Sequence, residues 1–308
     1  LFGPDDLDLF TVLASYTAFA IERVDLTRNI YEMFEGVVQL SVRAIDARDP
    51  STAGHSERVA DYTLRLARLA NRTSTGRFRD ITFSREELTE LRYAALLHDF
   101  GKIGVRESVL MKGTRLRDEN LAVVRERFET ARANAQLDAI RLAFERGSQM
   151  GWDLRDIRDY AARIAKKRID EFNDAEQTIL DNQFGRRLTE PVMQRIRRIG
   201  EMTFTDSAGR VRQLLTPQEL EDMLIVSGTL NKTEWIDMRS HARRSREFLC
   251  QIPWSEDLRE IPNIAGWHHE KLDGSGYPDG IAGEQIPVPV RMLTISDIFD
   301  AMTAADRP

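Results

Sequence analysis

Residues 96–104 read Leu96-Leu97-His98-Asp99-Phe100-Gly101-Lys102-Ile103-Gly104, and the fold is read outward from them. An apolar helix end delivers a histidine and an aspartate side by side. Two glycines then let the backbone turn tightly around whatever the pair binds. Adjacent imidazole and carboxylate can serve two metals at once, with the carboxylate bridging. The chain has five histidines, His55, His98, His241, His268 and His269, each in a context suited to metal chemistry. His268 and His269 are adjacent and run through Glu270 into Asp273-Gly274-Ser275-Gly276-Tyr277-Pro278, and Asp297 follows downstream. Imidazole and carboxylate donors without thiolate suit iron, manganese, nickel or zinc in a hydrolytic site rather than a structural zinc knot. A lone histidine is commonly a satisfied core residue; five in such contexts are not explained that way. Lys102 stands where its ammonium can balance charge on phosphate oxygens. Its plainer reading is an exposed lysine at a helix end.

Composition narrows the classes. A chain of 308 residues holds one large or two modest domains, and a formal charge of −6 gives no support for binding a nucleic-acid polymer. Cys250 is the single cysteine, which fits a reducing, cytoplasmic compartment. No run of about twenty apolar residues spans a membrane. The chain starts at Leu1 and stops after Asp306-Arg307-Pro308, and so reads as a fragment.

The pattern is helical nearly throughout. Residues 6–48 form one long helix or two in series, with Leu9, Leu13, Tyr16, Ala20, Tyr31, Phe34, Val38 and Ile45 as an apolar stripe that Arg23 and Thr27 interrupt. Such a helix is either ordinary core or a parallel dimer contact. Asp49-Pro50 ends it, and a second helix is expected from about Ser51 to Asn71. Ser84-Arg85-Glu86-Glu87 is a capping box opening a helix toward Asp99. Between about 116 and 202 the chain is charged, with one stripe at Phe128, Leu137, Ile140 and Phe144 and another from Ile157 through Tyr160, Ile164 and Ile169 to Phe172. Asp206-Ser207-Ala208-Gly209 reads as a hairpin turn, Thr216-Pro217 as a helix start, and Asn231 to Glu234 as the start of the helix carrying His241.

The two motifs together resemble the HD-GYP family of the HD phosphohydrolase superfamily. The resemblance rests on His98-Asp99-Phe100-Gly101-Lys102 and on the long run His268-His269-Glu270 to Gly276-Tyr277-Pro278-Asp279-Gly280. Gly54-His55-Ser56-Glu57-Arg58-Val59 and Ser296-Asp297-Ile298-Phe299-Asp300-Ala301-Met302 flank it. It covers about 27–110 and 229–308. It implies an all-α fold, an HD-type helical bundle around a metal centre, with a long N-terminal helix and a large, mostly helical insertion at about 117–229. It implies hydrolysis of cyclic di-GMP, mainly to linear pGpG, by attack of metal-activated hydroxide. The implied ligands of two divalent ions, iron or manganese, are His98, Asp99 (bridging), His241, His268, His269 and Asp297. His55 matches a position that helps bind a third metal in some members. Lys102, Tyr277 and Arg307 match substrate-side positions. Members with three metals carry glutamate where this chain has Ser51, which favours two metals. Another cyclic dinucleotide such as cyclic GMP-AMP, or a non-catalytic module that binds cyclic di-GMP, stays open. Residues 1–26 resemble the last helix of a GAF sensory domain. The partners expected are a second copy through the long N-terminal helix and a protein at the Gly-Tyr-Pro loop or the insertion.

Overall fold

A computed structural model describes residues 3–76, 78–206 and 208–304; for residues 4–7 and Ser51 only the backbone is described. The fold is all-α, as expected. In chain order the helices are α1 (Pro4–Arg48), α2 (His55–Ala70), α3 (Arg85–Leu97), α4 (Glu107–Leu110), α5 (Asp118–Met150) and α6 (Leu154–Asp181). Then come α7 (Glu190–Glu201), α8 (Pro217–Met223), α9 (Lys232–Leu249), α10 (Ile261–Gly266) and α11 (Val288–Thr303). One short antiparallel ribbon, β1 (Thr203–Thr205) with β2 (Val211–Gln213), pairs Thr203 with Gln213 and Thr205 with Val211. No described helix is long and apolar enough to cross a membrane.

The chain forms two compact units, Leu1–Arg106 with Asp237–Pro308, and Glu107–Ile236. In the first, α3 is the central element. The Ser84 capping box is present, with Ser84 Oγ accepting from Glu87 N and Glu87 Oε2 from Ser84 N. The last turns of α3, Ala94-Ala95-Leu96-Leu97, are buried on every side, as a helix apolar all round must be. Helices α1, α2 and α10 pack on it. Glu35 of α1 clamps its middle, accepting from both Arg92 Nη atoms (2.7 and 2.9 Å) and from Tyr93 Oη (2.9 Å). The Arg92 bond pulls the Glu35 carboxyl down to about 2.

Two expectations change here. The apolar stripe of α1 is two stripes: Val38, Val42 and Ile45 are buried in the core, whereas Leu9, Leu13, Tyr16 and Tyr31 are exposed. And α2 begins at His55, not near Ser51, because Pro50–Thr52 form a 3-10 turn and Gly54 takes a left-handed conformation (φ 71°) that starts the helix afresh.

In the second unit α5 and α6 form a helical hairpin turned at Gly151 (φ 68°). The stripe expected at Leu137, Ile140 and Phe144 is exposed. The packed face of α5 is instead Ala131, Ala135, Ala139, Ala143 and Gly147, one small residue per turn, which lets α6 approach closely. A Cβ at Gly147 would press into the Ile157 side chain (2.6 Å). Arg115 ties the unit together. It is fully buried and donates to the carbonyls of Ile225 (3.0 Å), Asn182 (2.7 Å), Arg186 (2.7 Å) and Phe184. Arg115→Ala leaves those four carbonyls without that donor, and at about 1 kcal/mol or more per stranded group the variant should lose at least about 4 kcal/mol. Urea unfolding followed by protease cleavage within 107–236 measures it; a loss under about 1 kcal/mol would contradict the assignment.

Candidate metal centre

Helix ends aim the donors. His98 caps the C-terminus of α3, and His268 and His269 follow directly after α10. His241 lies in α9, Asp297 in α11, and His55 opens α2. The turn Phe100–Gly104 lies directly on α9. Ser245 Oγ accepts from Gly101 N (2.8 Å) and donates to the His98 carbonyl (2.6 Å). A Cβ at Gly101 would collide with the carbonyl oxygen of His241, so only glycine lets this turn seat there. The same contact brings His241 to the His98-Asp99 pair.

His98, Asp99, His241, His268, His55, Asp297 and His269 therefore converge, the first five of them buried. Three overlapping donor groups each fall within 4.8 Å: His241, His268 and His269; His55, His98 and Asp297; His98, Asp99 and His268. Asp99 is shared, with Oδ1 3.4 Å from His241 Nε2 and Oδ2 3.5 Å from His98 Nε2. His55 Nε2 lies 3.1 Å from Asp297 Oδ1 and 4.0 Å from Asp99 Oδ2. His269 Nδ1 stands 4.0 Å from Asp297 Oδ2.

The tautomers decide whether these donors fit cations. Nδ1 of His98 is 2.6 Å from the Ala95 carbonyl, that of His268 2.6 Å from Ala265, and that of His241 2.7 Å from Met238. A carbonyl only accepts, so each Nδ1 carries the proton and each Nε2 presents a lone pair inward. His98 Nε2 is buried with no hydrogen-bond partner, and the Nε2 atoms of His241 and His268 face each other at 3.4 Å. Facing lone pairs that close repel, and a cation between or beside them relieves the repulsion. The residues fit divalent metal.

Electrostatics agree. Burial holds His98 below its ordinary value, His241 and His268 down to about 4, and His269 lower still. All four are neutral imidazoles at neutral pH, the form that can ligate a cation. Burial would raise Asp99, but Lys102 and the surrounding imidazoles outweigh it and hold the carboxyl well below the usual range. Asp297 is likewise lowered, by its bond to His55 against the effect of burial. His55 goes the other way: burial opposes its charge, but Asp297, Asp99 and Asp300 raise it.

Around the donors lie residues that the sequence did not flag. Asp300 accepts from His55 Nδ1 (2.7 Å) and from Arg58 Nε (2.7 Å), so His55 alone among the buried histidines is oriented by a carboxylate. Asp49, just past α1, holds Lys102 Nζ at 3.0 Å, and the same ammonium reaches Asp99 Oδ2 at 3.0 Å. Lys102 is buried, not a solvated helix-end lysine. The i, i+3 spacing of Asp297 and Asp300 is the signal that could have found Asp300; Asp49 has no local signal. Arg239 lies over the Tyr277 ring (4.2 Å), which itself stands 4.8 Å from His269. Glu270 Oε1 accepts from Asp279 N (2.7 Å) and Gly280 N (3.0 Å) and so shapes the Gly-Tyr-Pro loop. A Cβ at Gly276 would collide with the Glu270 and Lys271 backbone. Arg307 lies outside the described residues.

Family comparison meets this geometry from the other side. Residues 52–181 and 209–308 each match a family described as HD domain. The chain is an HD-domain protein. The chain also matches curated relatives. The 3'3'-cGAMP-specific phosphodiesterase 3 of Vibrio cholerae is 40% identical over 81 residues, covering 26% of this chain and 17% of the relative. The cyclic di-GMP phosphodiesterase response regulator RpfG of Xanthomonas campestris is 38% identical over 85 residues, 28% and 22% of the two chains. The cyclic di-GMP phosphodiesterase of Thermotoga maritima is 34% identical over 82 residues, 27% and 22% of the two chains. The matched part thus spans about a fifth of these relatives.

The neutral histidines make the HD core pH-sensitive. A histidine depressed by folding binds fewer protons folded than unfolded, so stability drops as pH falls from 6.5 toward the folded values. His55, raised by folding, stabilises below 6.5 and loses that contribution as pH rises through its folded value. Four depressed groups oppose one raised group, so the urea midpoint of the metal-free protein should fall between about pH 7 and about pH 5. A flat or rising midpoint would contradict the neutral tautomers.

Proposed function

We propose that the chain is a metal-dependent phosphodiesterase of the HD-GYP type that opens a 3′-5′ phosphodiester of a cyclic dinucleotide, with cyclic di-GMP as substrate and pGpG as main product. The observation that carries this reading is the set of three inward Nε2 lone pairs, on His98, His241 and His268, gathered with Asp99 and Asp297. The names of the relatives support the substrate class. Two divalent ions, iron or manganese, supply acidified water and charge neutralisation when bound. His98, Asp99, His241, His268, His269 and Asp297 hold them, with Asp99 shared. His55, fixed by Asp300 and bonded to Asp297, orients that carboxylate. Lys102, buried and charged, faces the phosphate oxygens as negative charge grows there, and Asp49 keeps it extended. Tyr277 and Arg239 form a flat cationic plate at the rim, suited to a base face or a second phosphate. Arg307 is assigned to substrate binding by its match to the family position alone. Serine at position 51 in place of a carboxylate favours a two-metal centre and hence pGpG over GMP.

Cyclic GMP-AMP is the second substrate reading, favoured by the name of the Vibrio cholerae relative described above. Residues 1–26 as a GAF remnant, a cytoplasmic setting, and a partner at the loop or in the 107–236 unit belong to the same proposal.

Chromatography of products after anaerobic loading with iron(II) or manganese(II) tests it, with both dinucleotides and the Asp99→Ala variant run in parallel. The expected result is metal-dependent pGpG from cyclic di-GMP and none from the variant. Unchanged hydrolysis by Asp99→Ala, or no product from a folded, metal-loaded sample, would refute the mechanism. Lys102→Ala should lower kcat about 10²-fold. Arg239→Ala should raise KM about tenfold and leave kcat within about threefold, the pattern of lost uniform binding; equal losses in kcat and kcat/KM would place Arg239 in the chemistry instead.

A further inference from the structure

Helix α1 carries an apolar seam that the core does not use. Leu9, Tyr16, Ile30 and Val37 are spaced in multiples of seven residues, with Arg23 in the middle place of that series. Val12, Phe19, Leu26, Met33 and Leu40 repeat every seven residues, three after each of those positions. These are the a and d positions of a heptad sustained over 32 residues, about 48 Å of helix. All nine apolar members are between 51 % and 72 % exposed. The seam is distinct from the packed face. Ile30, Met33, Val37 and Leu40 point roughly 115° around the helix from Phe34, Val38, Val42 and Ile45. The ion pairs of this segment, Arg28 with Asp25 and with Glu32, occupy the c and f positions away from the seam.

We infer that this seam binds a second copy of the chain as a parallel, in-register, two-stranded coiled coil. The area fits. At about 100 Å² per large apolar side chain, nine on each of two helices hide about 1,800 Å², against the roughly 1,600 Å² of a stable interface. Left open, the seam is far larger than the few hundred Å² of apolar patch a monomer tolerates. β-branched Ile30 and Val37 at a, with Leu26 and Leu40 at d, select two strands. Arg23 is the one charged a position and fixes the register. In the parallel arrangement it enters a hole flanked by Glu22 of the second copy, which sits at g, so the charges complement. The remaining g and e partners, Ser15 with Ala20 and Asn29 with Phe34, bring no like charges together.

The test uses the full chain. Sedimentation should give twice 35.3 kDa at micromolar concentration. Leu26→Glu, at a site exposed in the single copy, should weaken the dimer more than about a hundredfold while leaving helix content unchanged. With Cys250→Ser as background, Met33→Cys should oxidise to a disulfide-linked dimer, because d positions meet their own equivalents only in a parallel, in-register pair. Arg28→Cys, on the far face, should not. A monomer at tens of micromolar, a dimer that Leu26→Glu leaves intact, or cross-linking as ready at 28 as at 33 would each overturn the inference.

Discussion

Everything at the metal centre depends on where three imidazole Nδ1 protons go. His98 and His268 stand just past the ends of α3 and α10, where the last carbonyls have no helical partner. Ala95 and Ala265 supply such carbonyls, and each takes the proton of the histidine three residues on. One bond thus satisfies a helix end, selects a tautomer and fixes a ring plane. Lone pairs then point inward because the protons point outward, and no other arrangement of these rings leaves so many bare donors in one buried place.

That arrangement costs stability without a cation. Buried imidazoles stay neutral, two carboxylates stay charged, and the Nε2 atoms of His241 and His268 face each other across 3.4 Å. Lys102 and the His55–Arg58–Asp300 cluster bring positive charge to these carboxylates. A bound cation removes the mismatch, so its binding energy is also folding energy. Tight packing of the Phe100–Gly104 turn on α9 through Ser245 is what holds the frame together against that repulsion.

Much of this was legible in the sequence, for a physical reason. Metal ligands are few residue types in short motifs, so the seven donor positions could be named, and the structure brings them together. The Ser84 and Thr216 capping boxes were legible because a cap is a local hydrogen-bond pattern. What stayed hidden was non-local. Asp49 and Lys102 meet across 53 residues, and nothing beside Asp49 announces it. The packed face of α5 carries no run of large apolar residues to mark it, because close helix packing there selects alanine and glycine. The start of α2 was displaced because Gly54, not Pro50, resets the backbone.

The α1 stripe shows why periodicity alone misleads on a long helix. Two apolar stripes about a third of a turn apart partly cancel, and a 3.6-residue search reads them as one broken band. A 3.5-residue search separates them, since a seam that faces another helix drifts about 20° per heptad relative to a straight core face. The two stripes run side by side between Ile30 and Ile45, so the same turns of helix face both the hydrolase core and open solvent. Just past that region the chain reaches Asp49, which holds Lys102 and through it Asp99. Asp49 N donates to the Ile45 carbonyl (2.9 Å), so the packing that buries Val38, Val42 and Ile45 also fixes the carboxylate that holds the site's ammonium.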